Sequence, residues 1–302
     1  MRKRTREALS GYLFLTPNLI GFLIFTSLPV AASLLLAFSS WDILSSPQFV
    51  GLQNFSKLLL FHREAGRLVA NDFDFWYFTA NTLFLMLIVP VGMVASMGLA
   101  IALNSKIRGI VAFRTAYFLP TLSAGVAVYV LWTWIYNGPF GLFNAGLRLV
   151  GVEGPNWLSD KSWAKPALML MSLWIGVGGV NMLLYLAGLQ GIDPELYEAA
   201  EIDGAGGWHK FRHITYPMLS PTTFFILVMS VIGGLQGGFE QANIMTLGGP
   251  AGATTTLGYY IYQLGFVWYH MGYAATVAWM MFAGILVVTA INWRWGGRRV
   301  HY

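Results

Sequence analysis

The sequence predicts an all-α membrane protein: six transmembrane helices, with a short cytoplasmic helix between the fourth and fifth. Three observations carry this expectation. The 302 residues are 56% hydrophobic and only 10% charged, whereas a soluble domain is about 25% charged. Uncharged side chains run unbroken over 8–41, 75–105, 115–147, 166–192, 213–239 and 241–293. Each run exceeds the roughly 20 apolar residues that a helix needs to cross a hydrocarbon core of about 30 Å. Stretches such as Leu83 to Val89 do not alternate in polarity, as a β-barrel span would. This balance excludes an ordinary cytosolic enzyme, a disordered regulator and a nucleic-acid binder.

The first span is expected near 11–38, behind Arg2, Lys3, Arg4 and Arg6. Its apolar stretch is longer than the ~7–15 residues of a signal-peptide core, so it reads as an uncleaved span. The others are expected near 78–103, 114–136, 167–189, 221–239 and 273–293, and 1–302 reads as one membrane domain. Twelve of the 18 bases fall on one set of segments. These are the N-terminus, Lys106, Arg108 and Arg114, Lys210 and Arg212, and Arg294, Arg298 and Arg299. Bases collect on the cytoplasmic side, which places both termini there. The net charge of +5 reflects few acids rather than many bases. Trp132, Trp134, Trp293 and Trp295 sit at predicted span ends, where indoles anchor at the interface.

Residues 193–217 break the pattern. Five of the 13 acids lie within eleven residues: Asp193, Glu195, Glu198, Glu201 and Asp203. Asp193 suits an N-cap, Pro194 the first helical position and Glu195 the positive end of the dipole. Gly204 suits the left-handed residue that ends a helix. A second short helix from Trp208 would place Trp208, Phe211 and Thr215 on one face and Lys210 and Arg212 off it, with Pro217 stopping or kinking it. An amphipathic helix on lipid headgroups is one reading. Five carboxylates against a negative inner leaflet favour a protein partner instead.

Glu198-Ala199-Ala200, three residues, Gly204, nine residues, then Ile214-Thr215-Tyr216-Pro217 resembles the EAA loop of ABC-transporter permeases. Tyr216 stands where leucine is usual, and Asp203-Gly204-Ala205 fits a common extension of the pattern. Phe49 to Phe55, Leu186 to Ile192 and Thr246 to Leu257 also resemble stretches of carbohydrate-uptake permeases, the last as their final external loop. The resemblance is to the maltose-transporter type of membrane subunit. It implies a bacterial or archaeal cytoplasmic membrane, a second permease subunit, two ATP-binding subunits, an external solute-binding protein and a sugar substrate. It also implies that Glu198, Ala199, Ala200, Asp203 and Gly204 couple to the ATPase.

No lysine follows a glycine, so the chain lacks a P-loop and is expected to be non-catalytic, with ATP and Mg²⁺ held by a partner. A substrate path should show polar or small residues within apolar spans. Span 4 offers Trp174, Gly176, Gly178, Gly179 and Asn181; the end of span 5 offers Gly233, Gly234, Gln236, Gly237, Gly238, Phe239, Glu240, Gln241 and Asn243. Glycines also serve close helix packing, aromatics interface anchoring, and Glu240 simple solvation. His209 and His213 are four apart but have no third metal ligand beside them. An ion-coupled carrier would want ionisable groups within the spans, and a membrane enzyme a polar cluster at one face. A permease for a glycerol phosphoester would want Arg or Lys in the cavity.

Overall fold

The computed structural model describes residues 3–64, 67–105, 108–123 and 125–296. Arg2, Lys106, Arg298 and Arg299 of the charge count lie outside the described residues, as do Ala124 of the third span and the side chain of Trp295. The chain forms two compact units, Met1–Phe73 with Ile261–Met280, and Asp74–Tyr260 with Met281–Tyr302.

In the first unit, α1 (Lys3–Phe22) passes through a π-helical turn, Leu23–Ser27, into α2 (Leu28–Ala37). Pro29 explains the wider turn, because it cannot donate to the carbonyl four residues back. Beyond α2 the all-α expectation fails locally. Ser39–Ser40 pairs antiparallel with Gln48–Phe49, and Phe61–Glu64 with Arg67–Ala70. Between the pairs lies α3 (Gln53–Leu59). These strands occupy a polar connection that no hydropathy run reveals. The loop is pinned to the last span: Tyr273 Oη donates to Asp72 Oδ2 at 2.5 Å, and Thr276 Oγ1 donates to the Ala37 carbonyl at 2.8 Å.

The second unit holds the packed core. Its helices are α4 (Phe73–Leu85), α5 (Ile88–Leu103), α6 (Ile110–Leu122), α7 (Gly125–Ile135), α8 (Leu142–Leu149), α9 (Ala164–Val177) and α10 (Val180–Gln190). Then come α11 (Pro194–Ile202), α12 (Gly207–Lys210), α13 (Tyr216–Met218), α14 (Ser220–Gln236) and α15 (Phe239–Gln241). The chain finishes with α16 (Leu257–Tyr262) and the long α17 (Met271–Gly296), each of which runs across the boundary of the units. Buried Met93, Ala100, Met182, Tyr185, Leu189, Leu219 and Ile226 join α5, α10 and α14.

Among the described residues, five helical stretches are long and apolar enough to span a membrane, or up to six if the bent pair α6–α7 is one span. The spans are less regular than the periodicity predicts. The second breaks at Met86–Leu87, where Pro90 leaves the Met86 carbonyl without its α-helical donor. The third bends by 96° between α6 and α7. The fourth breaks at Gly178–Gly179 and the fifth at Gly237–Gly238, after which it runs on through α15 to Thr246 rather than ending at 239. One further reading is corrected. Trp132 is 6% exposed inside an aromatic cluster with Tyr136, Phe143 and Trp174, not an interface anchor. The segment 247–256, expected as a loop, packs closely, with Thr254, Thr255 and Thr256 all buried.

Candidate functional site

Two features stand out in the second unit. The first is a cavity of about 410 Å³ between α4, α5, α9, α10 and α14. It sits where the second and fifth spans are interrupted, with Met86, Gly237 and Gly238 in its wall. Irregular backbone within a membrane is tolerated where it lines a cavity, because its freed N–H and C=O groups need partners that lipid does not supply. Six neutral polar side chains, Thr82, Ser172, Asn181, Ser230, Gln241 and Thr256, are set in a wall otherwise made of glycines and of apolar Leu85, Met86, Ile88, Val89 and Leu173. Gln241 Nε2 donates to Ser172 Oγ at 3.0 Å, and Asn181 Nδ2 to Ser230 Oγ at 3.4 Å. Among the described residues, no charged side chain lines it.

Of the candidates named from sequence, Gly176, Asn181, Gln241, Gly233, Gly234, Gly237 and Gly238 meet at this cavity. Trp174, Gly179, Gln236, Phe239, Glu240 and Asn243 do not line it. Trp174 packs edge-on against Trp132 at 5.4 Å, and Phe239 lies 6.2 Å from the Tyr259 ring. Glu240 faces α7, where a Cβ on Gly125 would stand 3.0 Å from its Oε2. Gly178 serves packing: a Cβ there would fall 2.1 Å from the Tyr117 carbonyl oxygen of α6. The sequence reading missed Thr82, Ser172, Ser230 and Thr256. Serine and threonine are common in spans because their hydroxyls can bond back to the helix, so they give little signal on their own.

The second feature is the acidic loop. Asp193 caps α11, accepting from the Glu195 N–H at 3.0 Å, with Pro194 at the first helical position. Gly204 (φ +76°) ends the helix in a Schellman turn: the Ala205 N–H reaches the Ala200 carbonyl at 2.8 Å and the Gly204 N–H reaches that of Glu201 at 3.0 Å. Lys210 folds back so that Nζ lies 2.6 Å from Glu201 Oε1, holding the Glu201 carboxyl below its ordinary pKa, first through the hydrogen bond and then through charge. The Tyr197 hydroxyl meets Thr215 Oγ1 at 2.9 Å. Glu198, Ala199 and Asp203 stay exposed beside the apolar side chain of Ile202.

The second loop helix differs from expectation. Trp208 and Phe211 do stack, at 5.4 Å. Thr215 leaves their face to bond Tyr197, because residues 211–215 form a π-helical turn. That turn precedes Pro217, and the chain continues into α14 instead of stopping. His209 and His213 stack at 4.2 Å, with His213 Nδ1 placed 3.0 Å from the His209 carbonyl.

Residues 88–294, which include the acidic loop and all of the cavity lining except Thr82, Leu85 and Met86, match the family model described as "Binding-protein-dependent transport system inner membrane component". The chain belongs to this family of ABC-transporter permeases. It is 35% identical to the probable ABC transporter permease protein YesP of Bacillus subtilis (strain 168), over 100% of this chain and 94% of that protein. It is also 35% identical to the lactose transport system permease protein LacF of Rhizobium radiobacter, over 94% of this chain and 92% of the relative. A bacterial ABC transporter involved in the import of the acidic polysaccharide alginate superposes with a TM-score of 0.84 at 26% identity, covering 98% of both chains. The permease is therefore a multi-pass inner-membrane transport subunit of a family rich in sugar carriers. Such subunits are generally non-catalytic.

Proposed function

We propose that this permease conducts an uncharged sugar inward through the cavity between α4, α5, α9, α10 and α14, with work supplied by ATP hydrolysis on separate subunits. The observation that carries the reading is the set of six hydroxyl and amide side chains in an otherwise apolar and glycine-lined cavity, placed where spans are interrupted. Hydroxyls and amides donate and accept, which matches the alternating demands of sugar hydroxyls. A glycerol phosphoester would want Arg or Lys opposite its phosphate, and none of the described lining residues carries charge.

The acidic helix α11 is read as the coupling lever. Glu198, Ala199, Ala200, Asp203 and Gly204 meet an ATP-binding subunit: the small side chains permit close approach and Gly204 sets the turn behind them. In this reading both termini and α11 are cytoplasmic. A second permease completes the pathway, two ATPase subunits hold ATP and Mg²⁺, and an external solute-binding protein delivers the sugar. The permease itself binds no cofactor. LacF, by its name, serves lactose transport, which supports the sugar assignment.

The test is reconstitution of the whole complex in vesicles with ATP and a panel of labelled sugars. ATP-dependent uptake of an uncharged sugar is expected, falling when Asn181→Ala is introduced. Uptake of phosphoesters with no sugar transported would sink the reading.

A further inference from the structure

Glu240 and Gln241 are consecutive residues of α15, the three-residue helix after the Gly237–Gly238 break. They face different neighbours. Gln241 lines the cavity and donates to Ser172 Oγ on α9 at 3.0 Å. Glu240 leaves the cavity to Gln241 and seats its carboxylate against Gly125, the first residue of α7, where a Cβ would stand 3.0 Å from Oε2. One turn along α7, the Tyr129 side chain interacts with both Glu240 and Gln241. A polar chain therefore runs from the bend of the third span to the cavity wall.

Each link has a physical reason. The first turn of a helix such as α7 has N–H groups without intrahelical acceptors and the positive end of the helix dipole, which favour a carboxylate. A charge within apolar spans is costly unless such partners are present. Position 238 has φ +83°, and a Cβ there would lie 2.5 Å from Thr256 Cγ2, so glycine is required for α15 to start where it does.

We propose that Glu240 is a positioning residue: by holding α15 against the start of α7 it sets the Gln241 amide at the cavity wall, and so governs sugar affinity without touching sugar. The proposal rests on the reading of the cavity as the sugar path. Because Glu240 acts through Gln241, its removal matters only while Gln241 is present.

The experiment measures KM and Vmax for ATP-driven sugar uptake by the reconstituted complex, with assembly checked by size-exclusion chromatography. Gln241→Ala is expected to raise KM about fivefold, the loss of one ordinary hydrogen bond. Glu240→Ala is expected to raise it similarly, with a smaller change in Vmax, and to add nothing further in the Gln241→Ala background. Glu240→Gln, which keeps the shape and the Tyr129 partner, should fall between Glu240→Ala and wild type and guards against a variant that fails to assemble. Multiplicative effects in the double variant, or an unchanged KM in both Glu240 variants while Gln241→Ala raises it, would overturn the proposal. Unchanged KM in Gln241→Ala, Ser172→Ala and Asn181→Ala alike would instead overturn the cavity assignment, and the proposal with it.

Discussion

Asn81 Nδ2 donates to the carbonyls of Gly252 and Thr255, at 2.8 and 3.0 Å, across more than 170 residues of sequence. Next to it, Thr82 Oγ1 accepts from the Leu257 N–H at 3.0 Å. These two side chains of α4 hold the 247–256 segment inside the bundle and bring Thr256 to the cavity. Asn81 is 1% exposed, so Asn81→Ala takes the side-chain donor from the buried Thr255 carbonyl, while the Gly252 carbonyl keeps the Thr255 N–H at 3.1 Å. The expected cost is about 1–3 kcal/mol, read as a lower melting temperature of the purified complex. A melting temperature equal to wild type would show that the segment is held by other contacts.

Two glycines of the fourth span, two positions apart, should respond in opposite ways. A Cβ at Gly178 would press 2.1 Å from the Tyr117 carbonyl oxygen, which belongs to backbone and cannot swing away. Gly178→Ala is expected to separate α6 from α9, costing roughly 1–3 kcal/mol as overpacking does, and to lower the yield of folded complex. Gly176 lines the cavity with nothing within 4 Å of its Cβ position. Gly176→Ala is expected to fold normally and to alter the KM for uptake. Equal thermal stability of the two variants would refute the distinction.

What the sequence discloses follows from how each feature is encoded. The charge-free runs locate the apolar spans because burial in lipid is set by composition over about 20 residues. The α11 cap and its Gly204 turn are legible because Asp193, Pro194 and Gly204 act on their own local backbone. Breaks are harder to read. Pro90 does disturb its helix, yet Pro17 lies inside α1 without ending it. Glu240 shows why a site resists reading: its chemistry suits a sugar, and only the tertiary placement of Gly125 reveals which group it serves. Similarly, Trp132 reads as an interface residue until Tyr136, Phe143 and Trp174 are seen around it.

The Glu201–Lys210 pair gives a pH prediction whose sign is fixed. Lys210 lowers the Glu201 carboxyl pKa, first by hydrogen bonding and then by charge. A depressed carboxyl contributes above its unfolded pKa and loses that contribution as pH falls through the folded one. The pair should therefore be insensitive from about pH 6 to 8 and respond only on the acid side of the ordinary carboxylate range. Lys210→Ala should move Glu201 back up towards its ordinary value, measured by titrating the carboxyl carbon in selectively labelled protein. Glu201 is 66% exposed, so solvent screens the pair and the melting temperature should barely change. A Glu201 titration unaffected by Lys210→Ala would show that the two side chains do not pair in solution.

The lever is tested by separating charge from backbone. Glu198 is exposed on α11, so Glu198→Lys should insert and fold normally. It is expected to abolish sugar uptake and weaken retention of the ATP-binding subunit on purification, because it reverses charge on the surface proposed to be gripped. Gly204 has φ +76° with nothing within 4 Å of its Cβ position. Gly204→Ala therefore strains the turn without a clash, at about 1–2 kcal/mol. It should reduce coupling, read as sugar transported per ATP hydrolysed. Gly204→Asn, whose side chain better tolerates that conformation, should lose less. Normal uptake by Glu198→Lys would remove α11 from the coupling path. An Asn variant as impaired as Ala would show that position 204 matters for something other than its backbone angle.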